Sequence, residues 1–274
     1  MLIFHGANRN AVDYFASGQK ALAAADTAAD HTVLLVPQFL IEVDVQAHGL
    51  GSDVMRWKGG DWTGGLPATG PILLSSFAVV DSILSHLADP KVYPKLKEVV
   101  IAGHSGGAQF VQRYAVVGNG VGPLEARKIA VRYVVANPSS YLYFSSERPV
   151  SMAETCPSLN RWKYGLEGDI PPYVTMTPDA LERRYAQRDV IYLLGTADVD
   201  PHHPALDTSC AGEAQGPFRY ARGTNYFRML QAREGASLKH HLLEVDGVAH
   251  DGDRMLTSAC GLAALFNRPG CTAH

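Results

Sequence analysis

The stretch Val99-Val100-Ile101-Ala102-Gly103-His104-Ser105-Gly106-Gly107 decides how this chain is read. Its first four residues are apolar and three of them are β-branched, which predicts a strand covered on both faces. Ala108-Gln109-Phe110-Val111-Gln112-Arg113-Tyr114-Ala115 follows with helical spacing and no breaker. Strand, tight turn and helix therefore meet at Gly-x-Ser-x-Gly, a context in which a serine is held in a strained, sharply turned position. Gly103 and Gly107 stand two residues either side of Ser105 and let strand and helix pass closely, and Gly106 adds clearance. Without the flanking strand and helix, the same five residues would be an ordinary surface turn.

Before this stretch, Leu2–Phe4 predicts a strand and His5-Gly6-Ala7-Asn8-Arg9-Asn10 the loop after it. A helix then places Ala11, Phe15, Gly18 and Leu22 on one face. Thr32–Val36 predicts a second buried strand, closed by Pro37. The segment Gln38–Gly70 is long, irregular and rich in glycine, a length that is uncommon without a function. Its Trp57 and Trp62 either line a substrate cleft or pack as a small cluster beneath the loop. Leu74–Leu87 predicts a helix with Phe77, Val80, Leu84 and Leu87 inward.

After the serine, Ile129–Ala136 predicts a strand, and regular periodicity then fades from about Tyr141 to Gln187. Prolines 149, 157, 171, 172 and 178 and aromatics that include Tyr141 and Trp162 suggest an inserted cap at about 141–188, a second place for cleft residues. Val190–Leu194 and His240–Val245 predict further strands. The first ends in Gly195-Thr196-Ala197-Asp198-Val199-Asp200, and the second runs into a loop that holds His250 and Asp251. Helices are expected over about Asn225–Arg233 and Arg254–Phe266, with Asp251 a candidate N-cap. Neither repeat nor linker divides the 274 residues, so a single α/β domain is expected.

A serine hydroxyl needs a base, and the base needs an orienting group. Ser105, an aspartate after the penultimate strand and His250 after the last strand occur in the order of an α/β-hydrolase, which the chain resembles over nearly its whole length. The resemblance implies a doubly covered, mostly parallel sheet and a serine hydrolase acting on carboxylic esters through an acyl-enzyme. Ser105 would be the nucleophile, His250 the base, and the backbone amides of Ala7 and Gly106 the oxyanion donors, with no metal or organic cofactor. Asp198 and Asp200 compete for the acid, and Asp198 matches the family's placement better. His5–Asn10 and Gly216–Gly223 are also similar to a poorly characterised group of esterase-like α/β-hydrolases. Amide cleavage by the same constellation, and a catalytically silent binding protein on the same scaffold, are the alternatives.

Composition narrows the rest. A net charge of −3 with no basic run argues against nucleic acid as a partner, and no apolar run is long enough to cross a bilayer. The small or polymeric ester substrate is the partner expected. His202 and His203 look metal-like, but adjacent histidines between prolines fit a surface turn and no carboxylate pattern completes a site. The four cysteines, Cys156, Cys210, Cys260 and Cys271, form no Cys-x-x-Cys pair, and their even number fits two disulfides and an oxidising, secreted location. The Pro269-Gly270 turn favours Cys260–Cys271, leaving Cys156–Cys210 to tether the cap. Met1–Gly6 opens inside a strand with no length for a secretory signal. The resembled fold has one or two strands before that point, so the chain either lacks them or has been cut behind them.

Overall fold

The computed structural model describes residues 1–25, 30–151 and 155–271. Five strands, β1 (Leu2–Phe4), β2 (Glu98–His104), β3 (Ala130–Ala136), β4 (Asp189–Gly195) and β5 (His240–Val245), form one sheet in sequence order, and every pairing is parallel. Parallel neighbours need a crossover between them, and the crossovers supply the helices that cover both faces. The crossovers carry α1 (Ala11–Ala24), α2 (Glu42–Ala47), α3 (Ser76–Leu87), α4 (Gly106–Val117), α5 (Gly122–Ala126), α6 (Pro178–Ala186), α7 (Cys210–Glu213) and α8 (Arg219–Glu234), and α9 (Gly252–Thr257) and α10 (Ala259–Phe266) follow β5.

The period of two along each strand divides the core into two layers. Leu2, Phe4, Val99, Ile101, Tyr133, Val135, Val190, Tyr192 and Leu194 face the layer that holds α3, α4 and α8. Ile3, Val100, Ala102, Val134, Ala136, Ile191 and Leu193 face the opposite layer, with Met255, Leu256, Ala264 and Leu265 from the C-terminal helices. Every residue of α4 is buried, so its polar side chains need internal partners. Gln112 accepts from the Leu142 amide at 3.0 Å and donates to the Tyr226 hydroxyl at 3.0 Å. Arg113 donates to the Thr63 carbonyl at 3.0 Å and to the Ser140 hydroxyl at 3.2 Å.

Several expectations need correction. Residues 32–36 are not a buried strand but an edge strip: Ile3 N donates to Leu35 O and Leu35 N to Met1 O, both at 2.9 Å, and Val33 is 50% exposed. The inward face of α1 is Ala11, Ser17, Gly18 and Ala21, and Phe15 points outward. Small residues are needed there because Gly18 packs directly on Ile3 and Leu34, leaving no space for a phenyl ring. The C-terminal helix is broken at Ser258, whose hydroxyl caps α10 by accepting from Gly261 N. Helix α8 begins at Arg219, ahead of the expected start.

The segment proposed as a cap has mixed character. Tyr141, Leu142, Tyr143 and α6 belong to the main core, so both ends of 141–188 are part of the body. Between them, Trp162 Nε1 donates to Gly64 O at 2.9 Å and Tyr173 OH to Asp81 at 2.7 Å. Cys156 is bridged to Cys210, and Cys260 to Cys271. No helix among the described residues is long and apolar enough to cross a membrane.

Candidate active site

Ser105 sits where β2 gives way to α4, with φ 58° and ψ −121°, a conformation that costs a non-glycine residue free energy. Close packing of strand and helix imposes it. A Cβ at Gly107 would collide with the Phe4 and His5 carbonyls, and one at Gly103 with the Gly107 carbonyl. Both positions therefore require glycine for clearance.

Two other loops from the same end of the sheet reach this serine. His250, in the loop after β5, brings Nε2 to 2.9 Å from Ser105 Oγ. Asp198, just past β4, brings Oδ2 to 2.8 Å from His250 Nδ1. A carboxylate can only accept, so Nδ1 carries the proton and Nε2 presents a lone pair to the serine hydroxyl. Asp200 is exposed and accepts from the His202 amide within its own turn, so the structure separates the two aspartates. Burial lowers the His250 pKa most strongly; the Asp198 hydrogen bond opposes this and the Arg219 charge adds to it.

The loop after β1 lies against the same serine. A Cβ at Gly6 would fall 3.6 Å from Ser105 Cβ, and one at Gly106 would fall 3.0 Å from Ala7 N. His5 fixes that loop: Nε2 accepts from Phe39 N at 2.9 Å, so Nδ1 carries the proton and donates to Gly6 O at 2.9 Å. Arg9 N also donates to Gly6 O, at 3.0 Å. Because the Gly6–Ala7 peptide is planar, holding its carbonyl on one side turns the Ala7 N–H to the other. Burial pushes His5 down to about 4, which keeps it in this hydrogen-bonding state at neutral pH.

The sequence did not single out the group beside Asp198. Arg219 (0% exposed) pairs with Asp198 (2% exposed) at 3.3 Å through Asp198 Oδ1, the carboxylate oxygen that His250 does not use. Arg219 Nε donates to Ser139 Oγ at 2.9 Å, and Nη2 lies 3.3 Å from His203 Nδ1. The one signal available was a cation in the apolar surroundings of Gly216-Pro217-Phe218-Arg219-Tyr220-Ala221. His104, within the Gly-x-Ser-x-Gly, packs its ring 4.6 Å from that of His250 and contacts Tyr14 OH through Nδ1 at 2.9 Å.

Three of the four candidate cleft aromatics pack into the core. Trp57 and Trp62 are buried in a cluster with Phe4, Phe39 and Phe110, and Trp62 stacks on Phe39 at 5.3 Å. Tyr141 is buried and stacks on Tyr226 at 4.6 Å. These three are core residues, drawn in by their large apolar area. Trp162 is half-buried against Gly64. Among the described residues, no group of three or more His, Cys, Asp or Glu side chains could hold a metal ion.

No protein-family model and no curated protein matches the chain. Among the solved structures that resemble it along most of its length are two. One is LpqC, poly(3-hydroxybutyrate) depolymerase from Bordetella parapertussis, with TM-score 0.67 and 23% identity over 97% of this chain and 80% of that one. The other is poly(aspartic acid) hydrolase-1 from Sphingomonas sp. KT-1, with TM-score 0.62 and 24% identity over 93% of this chain and 83% of that one. With its parallel sheet flanked by helices on both faces, the chain has the α/β-hydrolase fold.

Proposed function

We propose that the chain is a serine hydrolase that cleaves carboxylic esters, small or polymeric, with Ser105, His250 and Asp198 as its catalytic residues. One observation carries this reading: an unbroken hydrogen-bonded chain from Ser105 Oγ through His250 to a buried Asp198, at 2.9 and 2.8 Å. Ser105 Oγ attacks the ester carbonyl carbon as His250 Nε2 takes its proton. The carbonyl oxygen becomes an oxyanion that the Ala7 and Gly106 amides stabilise, since both are preorganised donors beside the serine. Collapse expels the alcohol, protonated by His250, and leaves an acyl-serine. Water then repeats the cycle and releases the acid.

Asp198 holds the tautomer and stabilises the imidazolium formed in each half-reaction. The segment between Phe144 and Met176 acts as the cap in this reading, tied to the body by Cys156–Cys210 and by the Trp162 and Tyr173 hydrogen bonds. Two disulfides suit an oxidising compartment, and we propose that the protein is secreted.

The test is steady-state kinetics on nitrophenyl esters beside peptide amides, for wild type and Ser105→Ala. The expected result is ester turnover by wild type, a fall of about 10³-fold or more in a folded Ser105→Ala, and little amide turnover. A folded Ser105→Ala with wild-type ester turnover overturns the reading. Amide turnover above ester turnover replaces the ester substrate with an amide.

A further inference from the structure

His203 is a polar side chain beside this centre to which the proposed reaction assigns no part. Its Nδ1 receives the Ala205 amide at 3.1 Å and lies 3.3 Å from Arg219 Nη2. A backbone amide and a guanidinium can only donate, so Nδ1 is an acceptor and the ring proton sits on Nε2. Nε2 leaves the ring on the side away from Nδ1, so its N–H turns away from buried Arg219. It meets no acceptor among the described residues, and the side chain is half-buried. The ring itself stands edge-on to His250, with centroids 5.0 Å apart.

The neighbouring His202 behaves differently. It is exposed, and its backbone amide closes a turn with Asp200. A turn at Ala205 alone would give His203 a merely local role. The guanidinium that holds Asp198 from α8 also sets the His203 tautomer, tying this ring to the centre.

We propose that His203 Nε2–H donates a hydrogen bond to the alcohol portion of the substrate, so that the site favours esters whose alcohol carries an acceptor oxygen near the scissile bond. This rests on the ester-hydrolase reading, and the geometry selects the side. The carbonyl oxygen belongs with Ala7 and Gly106, whereas His250 Nε2 must reach the leaving oxygen to protonate it. His203 packs on His250, so the part of the substrate beside it is the alcohol.

The test compares 2-methoxyethyl butanoate with butyl butanoate, which differ by one oxygen in place of one methylene, using acid release by wild type, His203→Phe and His203→Gln. The readout is the ratio of kcat/KM for the two esters within each protein, which a loss of active fraction does not move. Wild type should favour the methoxyethyl ester. His203→Phe should lower the ratio about fivefold or more, and His203→Gln, which retains an N–H donor, should restore part of it. A wild-type ratio near one, or a ratio unmoved in His203→Phe, overturns the proposal and leaves the ester-hydrolase reading standing. If wild type hydrolyses neither ester, that reading fails and this proposal fails with it.

Discussion

The two halves of the site are held by different means. Backbone geometry holds Ser105: a buried strand, two glycines without room for a Cβ, and a fully buried helix leave the serine one conformation. Side-chain charge holds Asp198: its carboxylate is divided between His250 and Arg219, and Arg219 reaches it from another helix and also grips Ser139. The first kind of constraint is written in consecutive residues. The second is assembled from residues 139, 198, 219 and 250. A strained turn stays in place while its neighbours pack, whereas a buried ion pair keeps its shape only while both partners are present.

Asp198→Asn should break the charge-held half most severely. Turnover per folded molecule should fall about 10⁴-fold, because the amide favours the wrong His250 tautomer, and stability should fall with it because Arg219 is left buried without its anion. Asp200→Asn, on an exposed turn, should stay within about threefold of wild type, inside the small range of surface substitutions. Ester kinetics on the two variants check this, and the opposite order would move the acid two residues along the chain.

Arg219→Met should be the next largest loss, about 3–5 kcal/mol of stability by urea unfolding, because it leaves Asp198 buried without its cation. The same variant shifts the pH profile. In wild type, burial and the Arg219 charge lower the His250 pKa, so the acid limb of kcat/KM should lie below the ordinary imidazole value of about 6.5. Removing the charge should move that limb upward. A limb that stays put would mean Arg219 has no electrostatic part in the site.

Gly107→Ala probes the backbone-held half. Its Cβ would meet the Phe4 and His5 carbonyls, and strand and helix would have to separate. Overpacking at such a point should cost about 3 kcal/mol, with activity falling in step because Ser105 moves with the turn. Wild-type stability in this variant would show that the turn at Ser105 has slack the packing does not suggest.

The contrast also explains what could be read from the residues alone. The strands of the sheet interior were legible because β-branched runs have few other places to go, and the serine because its turn imposes a local pattern. Residues 32–36 carry the same kind of apolar run but lie at the sheet edge, and composition does not distinguish an edge from the interior. The order Ser105, Asp198, His250 could be read from the loops that follow strands, whereas Arg219 and His203 could not. An arginine at the start of a helix looks the same in sequence whether it faces solvent or a buried carboxylate. Trp57 and Trp62 left two readings open for a related reason. A glycine-rich loop does not reveal that Phe39 and Phe110 will meet it, and only the fold brings those rings together.

The central claim is that Ser105 is a nucleophile activated by His250. Intact-mass and peptide mass spectrometry after treatment with a fluorophosphonate test it most directly. The account predicts a single phosphonyl adduct on Ser105, slowed strongly in Asp198→Asn and absent in Ser105→Ala. An unlabelled folded wild-type protein, or an adduct on another serine with Ser105 unmodified, would contradict it.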